Sequence, residues 1–241
     1  MIIDNHVHIG WFKDGYHSPV EVWEGIRKTN ISKIVVSSTS TCADLYHNIL
    51  TEFYQLISIA GKNNIIPILW LTPKILLKNW ALKKLLKSKI DWQGIKLHYI
   101  SNPSFGENSN LVNKALSIAR LLGDVPVLLH TGDWENCHAG VFETIIEENP
   151  DLKFILAHGR PIEETIKVLK MYSNAYTDTA FMPLDNINVL KKNELSQKVL
   201  FGSDIPINRV YFPQYSTNEF LKIRLNEIEG IDSKILNNTI F

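Results

Sequence analysis

Short runs of aliphatic and β-branched residues recur along the chain roughly every 30 residues, beginning near Ile3, Ile34, Ile65, Ile95, Val127, Phe154, Ala175 and Val199. Helical signals fill the gaps. Ser18-Pro19 puts a capping side chain before a proline at the first helical position, and Val22, Ile26 and Thr29 follow at helical spacing. Leu45, Ile49, Phe53, Leu56 and Ala60 predict a helix over 45–60, and the stretches 110–122 and 161–171 read the same way. Runs such as Ile65-Ile66-Pro67-Ile68-Leu69 are apolar nearly throughout, which suits parallel strands covered on both faces. Eight strand-then-helix units without a break in composition predict an α/β fold, a single (β/α)8 TIM barrel spanning 1–241 as one domain. The competing topology is a doubly wound open sheet. It expects a glycine-rich turn after the first strand, where this chain has His6-Val7-His8-Ile9-Gly10. Three polar stretches, 101–110, 131–138 and 205–217, are expected to be irregular loops.

Where the apolar pattern breaks is informative. Polar residues gather at the C-terminal ends of the predicted strands: His6 and His8 on the first, Lys96 and His98 on the fourth, then His130, His158, Asp178 and Asp204 on the last four. In barrel enzymes that end of the sheet is the active-site face. His6 and His8 are two apart and share a face, as do Lys96 and His98. Five of the eight histidines lie at strand ends. Imidazoles converging with a carboxylate suit zinc, manganese, iron or nickel, whereas the same cluster without an ion would leave donors and acceptors unpaired.

Composition narrows the partners. The chain has 241 residues, 45% hydrophobic and 21% charged, enough for a large core. Lys plus Arg and Asp plus Glu are 25 each, and a polyanion binder needs a basic excess, so no nucleic-acid partner is expected. Cys42 and Cys137 are the only cysteines, which excludes a disulfide framework. No apolar run approaches the ~18 residues of a membrane span, and the N-terminus shows no signal-peptide pattern. The expectation is a cytoplasmic protein with a small-molecule substrate and no membrane partner.

The segments Ile3-Asp4-Asn5-His6-Val7-His8, Gly94-Ile95-Lys96-Leu97-His98, Val127-Leu128-Leu129-His130-Thr131-Gly132, Ile155-Leu156-Ala157-His158-Gly159 and Leu200-Phe201-Gly202-Ser203-Asp204-Ile205-Pro206 together resemble the amidohydrolase superfamily. The closer likeness is to its amidohydrolase-related branch of small decarboxylases, hydratases and lactonases. The terminal Ile235–Phe241 stretch resembles that family's closing helix. The resemblance implies that His6, His8 and His130 hold a divalent metal, most simply zinc, with Asp204 as a further ligand or a base. His158 would bind a second ion or contact the reacting group. Lys96 stands where binuclear relatives carry a carbamylated lysine, and one ion is favoured over two because an unmodified lysine is no ligand near neutral pH. TatD-type nucleases have a glutamate at that place.

The chemistry that follows is hydrolysis of an amide, ester or lactone by activated water, with Asp204 and His158 as the catalytic groups. The alternatives are decarboxylation of a small carboxylic acid, or a barrel that only binds. On the substrate side, Arg160 and Arg209 are candidates for a carboxylate, and His98 for a ligand contact. Trp11, Trp70, Tyr99 and Trp134 are candidates for an aromatic wall. Asp178 is a candidate for orienting a metal ligand. The adjacent Cys137-His138 lacks the geometry of a nucleophile pair. Loops this short leave the mouth open or roofed by a second copy in a homo-oligomer.

Overall fold

The structure is a computed structural model that describes residues 1–132 and 134–241. Its strands are β1 (Ile2–Phe12), β2 (Gly15–His17), β3 (Ile31–Ser38), β4 (Ile65–Pro67), β5 (Leu69–Trp70), β6 (Ile95–Leu97), β7 (Val127–His130), β8 (Phe154–Ala157), β9 (Ala175–Asp178) and β10 (Val199–Leu200). They form a four-stranded sheet, β2-β1-β3-β4, and a six-stranded sheet, β10-β9-β8-β7-β6-β5. Every pairing is parallel except that of β1 with β2. The two sheets meet at both edges. Ile68, the single residue between β4 and β5, donates its N–H to Val36 O. On the far side Asn5 N donates to Phe201 O, His8 N to Ile205 O and Asp204 N to His6 O, and Val7 bridges Ile205.

Alternation along the strands sorts the core into two layers. Val127 and Leu129 of β7, Phe154 and Leu156 of β8, and Ile95 and Leu97 of β6 pack into the larger cluster shared with the helices. Their alternates Leu128, Ile155 and Ala157 join Ile3, Val35, Ile66, Ile68 and Leu200 in a second, separate cluster. Leu128 shares its face with His130, two residues on, and the same face of β6 carries Lys96. One face of these strands is thus apolar at its base and ionisable at its C-terminal end, which places the polar groups over a hydrophobic floor.

The predicted helices form. Pro19–Ile26 is capped by Ser18 Oγ, which accepts from Glu21 N at 3.2 Å. Tyr46–Ala60 buries Ile49, Phe53 and Leu56, and Ser109–Leu121 and Ile162–Met171 follow. Four expectations need correction. β1 does not stop at the histidines: it runs on to Phe12 and turns back as β2, a hairpin that the parallel pattern gives no sign of. The stretch 101–110 holds the helix Ser104–Glu107, and 205–217 holds Asn208–Tyr211. Of 131–138, residue 133 lies outside the described residues, and Glu135–Cys137 is a single 3-10 turn. The closing helix is Thr217–Asp232, opened by a capping box of Ser216 and Glu219. Ile235–Phe241 is no helix beyond the 3-10 turn Ser233–Asn237. Asn238 explains this: its Nδ2 donates to Ser196 O and Val199 O, a side-chain-to-backbone competition that asparagine commonly wins over helix. Ile240 and Phe241 then pack against the second apolar cluster.

Candidate metal centre and adjoining cavity

β1 slips register against β3 between Asp4 and Val7. The slip turns Asn5 and His6 toward the segment after β10, as irregularities beside functional sites commonly do. His6 and His8 remain on one face, with ring nitrogens Nε2 3.2 Å apart. Asp204 Oδ1 lies 3.0 Å from His8 Nε2 and 3.5 Å from His6 Nε2. These three side chains form a buried group able to hold an ion. Asp204 has φ 57° and His158 φ 72°, left-handed backbone that costs roughly 1–3 kcal/mol each in non-glycine residues and concentrates at functional sites. Both are held there by hydrogen bonds from their own N–H groups, Asp204 to His6 O and His158 to Asp178 Oδ1. Gly202 makes the approach possible, because a Cβ there would lie 3.0 Å from His6 Cβ and 3.1 Å from Asp178 Cβ.

The partners of the far ring nitrogens hold the rings in place. His6 Nδ1 donates to Asp178 Oδ2 at 2.8 Å, and His8 Nδ1 lies 2.9 Å from Ser37 Oγ. His6 Nε2 therefore carries a lone pair aimed at the shared centre, and His8 Nε2 faces the same point, the arrangement of carboxylate- and hydroxyl-oriented metal-binding histidines. Burial, and then the neighbouring Lys96, push both imidazoles below their ordinary value. Burial raises the Asp204 carboxyl, but His6 and His8 outweigh it and hold the group below the carboxylate range. The fit to a cation is shown by Asp204 Oδ1, which is buried and lacks a hydrogen-bond partner among the described residues. Two imidazole nitrogens and a carboxylate oxygen are a donor set for zinc and its first-row neighbours.

Among the described residues, Lys96 supplies the one cation at this centre. Its Nζ stands 2.9 Å from His6 Nε2 and 3.0 Å from His8 Nε2, and 4.4 Å from the Trp70 ring centroid. It donates to the same lone pairs that an ion would take. Full burial lowers it to about 8, because an ammonium out of water is disfavoured.

The other predicted residues divide. His158, Asp178 and His6 form a second group of ligating atoms, but it is satisfied internally. Asp178 Oδ1 accepts from His158 N and Ala180 N, and His158 Nδ1 donates to Ala180 O. Burial raises Asp178. His130 lies in neither group. Its Nδ1 is 3.2 Å from His158 Nε2, and its ring stacks on His98 at 3.8 Å. Burial drives both His98 and His130 well below their ordinary value. Arg209 Nη1 donates to Glu21 Oε1 at 2.7 Å, and Arg160 Nη2 to Phe181 O at 3.3 Å. Tyr99 is core, packed on Phe105 and Phe142, and Trp134 is exposed. Cys137 Sγ donates to Trp134 O while His138 faces Glu164, so the two are not a dyad.

Beside the centre lies a cavity of about 500 Å³ lined by Trp11, Phe12, Leu45, Trp70 and His98, with Lys13 among its lining residues. Trp70 joins it to the centre: its ring is 5.5 Å from that of His8 and stacks on His98 at 5.3 Å. Sequence reasoning named Trp11, Trp70 and His98 but missed Phe12, Lys13 and Leu45. The hairpin and the turn after β3 that carry these three have no counterpart in strand periodicity. It also missed Ser37, whose place at the C-terminal end of β3 was the available signal.

No helix among the described residues is long and apolar enough to cross a membrane. No family model matches the sequence, and no curated protein matches it. Solved structures do match. A probable 2-pyrone-4,6-dicarboxylic acid hydrolase from Acinetobacter baumannii with citric acid bound is 13% identical, with 98% of this chain and 96% of that one covered at a TM-score of 0.68. An amidohydrolase from Burkholderia multivorans with bound zinc is 9% identical, with 95% and 92% covered at 0.66. An IDCase of Metarhizium anisopliae in its apo form is 12% identical, with 98% and 94% covered at 0.63. Over nearly its whole length the chain has the mixed α/β, parallel-sheet fold of these amidohydrolase-type enzymes.

Proposed function

We propose that this chain is a metal-dependent hydrolase of the amidohydrolase type, acting on a small carboxylate-bearing molecule through an amide, ester or lactone bond. The observation that carries the reading is the convergence of His6 Nε2, His8 Nε2 and the unpartnered Asp204 Oδ1 on one point. In this reading the two sheets are arcs of one (β/α)8 barrel formed by 1–241 as a single domain. The backbone bonds at both sheet edges and the apolar cluster drawn from alternate strand positions support that.

His6, His8 and Asp204 are proposed to hold the ion, with zinc the first choice on the donor set and on the zinc-bound neighbour. Such an ion, when bound, supplies Lewis-acid polarisation and water activation near neutral pH. Asp178 and Ser37 keep the His6 and His8 lone pairs directed inward. Asp204 takes a proton from the attacking water and returns it to the leaving group. His158 is the second proton carrier, and His130 positions it through the 3.2 Å contact of their ring nitrogens. Lys96, whose Nζ stands between the two histidines, would face the substrate or, if carbamylated by carbon dioxide, would help to hold a second ion. The partner is a small molecule rather than nucleic acid, and the location is the cytoplasm.

Decarboxylation of a small acid is the second reading, favoured by the largely apolar character of the adjoining cavity and by the likeness to enzymes such as a 5-carboxyvanillate decarboxylase. One zinc-loaded preparation assayed on lactones, amides, esters and aromatic acids separates the two, since water is consumed in one case and carbon dioxide released in the other. Asp204→Asn is expected to lose about 10²–10⁴-fold in turnover while remaining folded. Near-normal turnover with metal retained would move the base to His158.

A further inference from the structure

The cavity beside the centre is walled by residues that the catalytic reading does not use. Trp11 and Phe12 come from the end of β1, where Trp11 pairs with Tyr16 of β2 and their rings lie 5.3 Å apart. Leu45 comes from the turn after β3, and Trp70 from β5. The hairpin and the turn are tied together. Ser38 Oγ and Ser40 Oγ donate to the buried Glu52 carboxylate at 2.5 and 2.6 Å, and Trp11 N donates to Ser40 Oγ. Gly10, at φ 98°, passes so close to this knot that a Cβ would meet Ser40 Oγ at 2.6 Å. The walls are therefore preorganised, which lowers the ordering cost of binding.

The cavity is short of anion partners. Neither Arg160 nor Arg209 lines it, each donating to groups elsewhere. Lys13, exposed at the hairpin turn, is the one lysine or arginine among its described lining residues. His98 is held neutral by burial. Trp70 Nε1 is buried without a hydrogen-bond partner among the described residues, and Thr39, Cys42 and Ser101 add short neutral polar groups to the lining, none of them a cation. A volume of about 500 Å³ suits a ring-sized group. A second carboxylate placed there would lose its hydration with one exposed lysine to meet it.

We infer that the substrate is a monocarboxylate with a flat apolar, phenyl-sized body, the body seated between Trp11, Phe12 and Leu45 on one side and the Trp70–His98 stack on the other. The inference rests on the second reading of the proposed function, and only for the direction of the carboxylate, toward the His6, His8 and Asp204 centre. It sets this chain apart from the similar probable 2-pyrone-4,6-dicarboxylic acid hydrolase, and it makes the β1–β2 hairpin and the turn after β3 the specificity-determining elements.

The test measures binding without turnover, so a failed activity screen does not touch it. Acetate, phenylacetate, benzene-1,3-dicarboxylate and citrate are titrated calorimetrically into the full chain, with metal content recorded separately. Phenylacetate is expected to bind about 10–100-fold tighter than acetate, the worth of burying one aromatic ring, and both polyacids more weakly than phenylacetate. Ala43→Phe, at an exposed position on the cavity wall, should fill the space and abolish the preference for phenylacetate while leaving acetate binding as it was. Trp11→Ala should reduce the preference several-fold. Equal affinity for acetate and phenylacetate, tighter binding of either polyacid, or an unchanged preference in both variants overturns the inference. A phenylacetate preference in protein that takes up no zinc upholds the cavity and overturns the metal reading alone.

Discussion

The centre and the cavity lie one tryptophan apart and are built by opposite means. Every side chain of the centre comes from a parallel strand or the residues just beyond one, and its histidines are oriented by a second group, His6 by Asp178 and His8 by Ser37, as the neighbouring His158 is by Ala180 O. The cavity is walled mainly by a hairpin and a turn, and its residues are held by packing and by one buried Glu52–serine knot. In the proposed reading, chemistry that needs tenths of an ångström sits on the rigid sheet, and the surface that chooses among substrates sits on connections. Parallel sheets permit this because their strand ends are fixed whatever the loops do.

The largest effect expected from breaking this division is at the centre. His8→Ala should weaken zinc binding by more than about 100-fold, since it removes a donor atom outright, and should weaken acetate and phenylacetate alike while leaving the preference between them nearly intact. Elemental analysis and calorimetry on the same preparation read both. Loss of the phenylacetate preference together with zinc would mean that the two regions are one site.

Asp178→Asn should cost about 10–100-fold in zinc affinity, the usual toll for removing the partner that orients a ligating imidazole. Unchanged affinity would show that Asp178 is merely a buried carboxyl tied to His158 N and Ala180 N.

Lys96 sharpens the contrast in the metal-free protein. Its folded pKa is about 8 against 10.5 in the unfolded chain. Between those values the unfolded chain binds more protons, so stability rises with pH, and the penalty is fully present below about pH 8. The gain is at most about 3 kcal/mol. Thermal melting from pH 7 to 10 should therefore show a rise in the metal-free wild type that Lys96→Met lacks, and zinc-loaded wild type should be flatter. Parallel curves for wild type and variant would remove Lys96 from the centre.

The smallest effect is expected at Arg209. Its pair with Glu21 is exposed on both sides, and such pairs are worth about 0–1 kcal/mol. Arg209→Ala should leave melting and the Michaelis constant for an active acid unchanged. A large rise in that constant would return Arg209 to the substrate.

Much of this was legible in order along the chain. Eight of the parallel strands begin at or within a few residues of where β-branched runs recur, and the polar residues at their ends include those of the candidate centre, because a side chain two positions from an apolar core residue must share its face. His130 shows the limit. Its place on β7 puts it on the inner face with Leu128, as alternation requires, yet its Nδ1 meets His158 rather than the point shared by His6 and His8. Periodicity fixes a face and leaves the rotamer to packing. Arg160 and Arg209 show another, for closeness in sequence to His158 and Asp204 said nothing of the direction in which long side chains would reach.

What the sequence by itself determined is the alternation of strand and helix, the apolar base of each strand and the set of ionisable groups above it. These follow from local periodicity and burial, which each segment carries alone. Only the tertiary structure decided that Lys96 sits between His6 and His8, that Asp178 and Ser37 hold their rings in place, and that a hairpin and a distant turn enclose a largely apolar cavity. Those contacts join residues tens to hundreds of positions apart, such as Asp4 Oδ1 with Ser203 N. Their geometry depends on strand register, backbone twist and side-chain packing summed over the whole fold, none of which is written in any one segment.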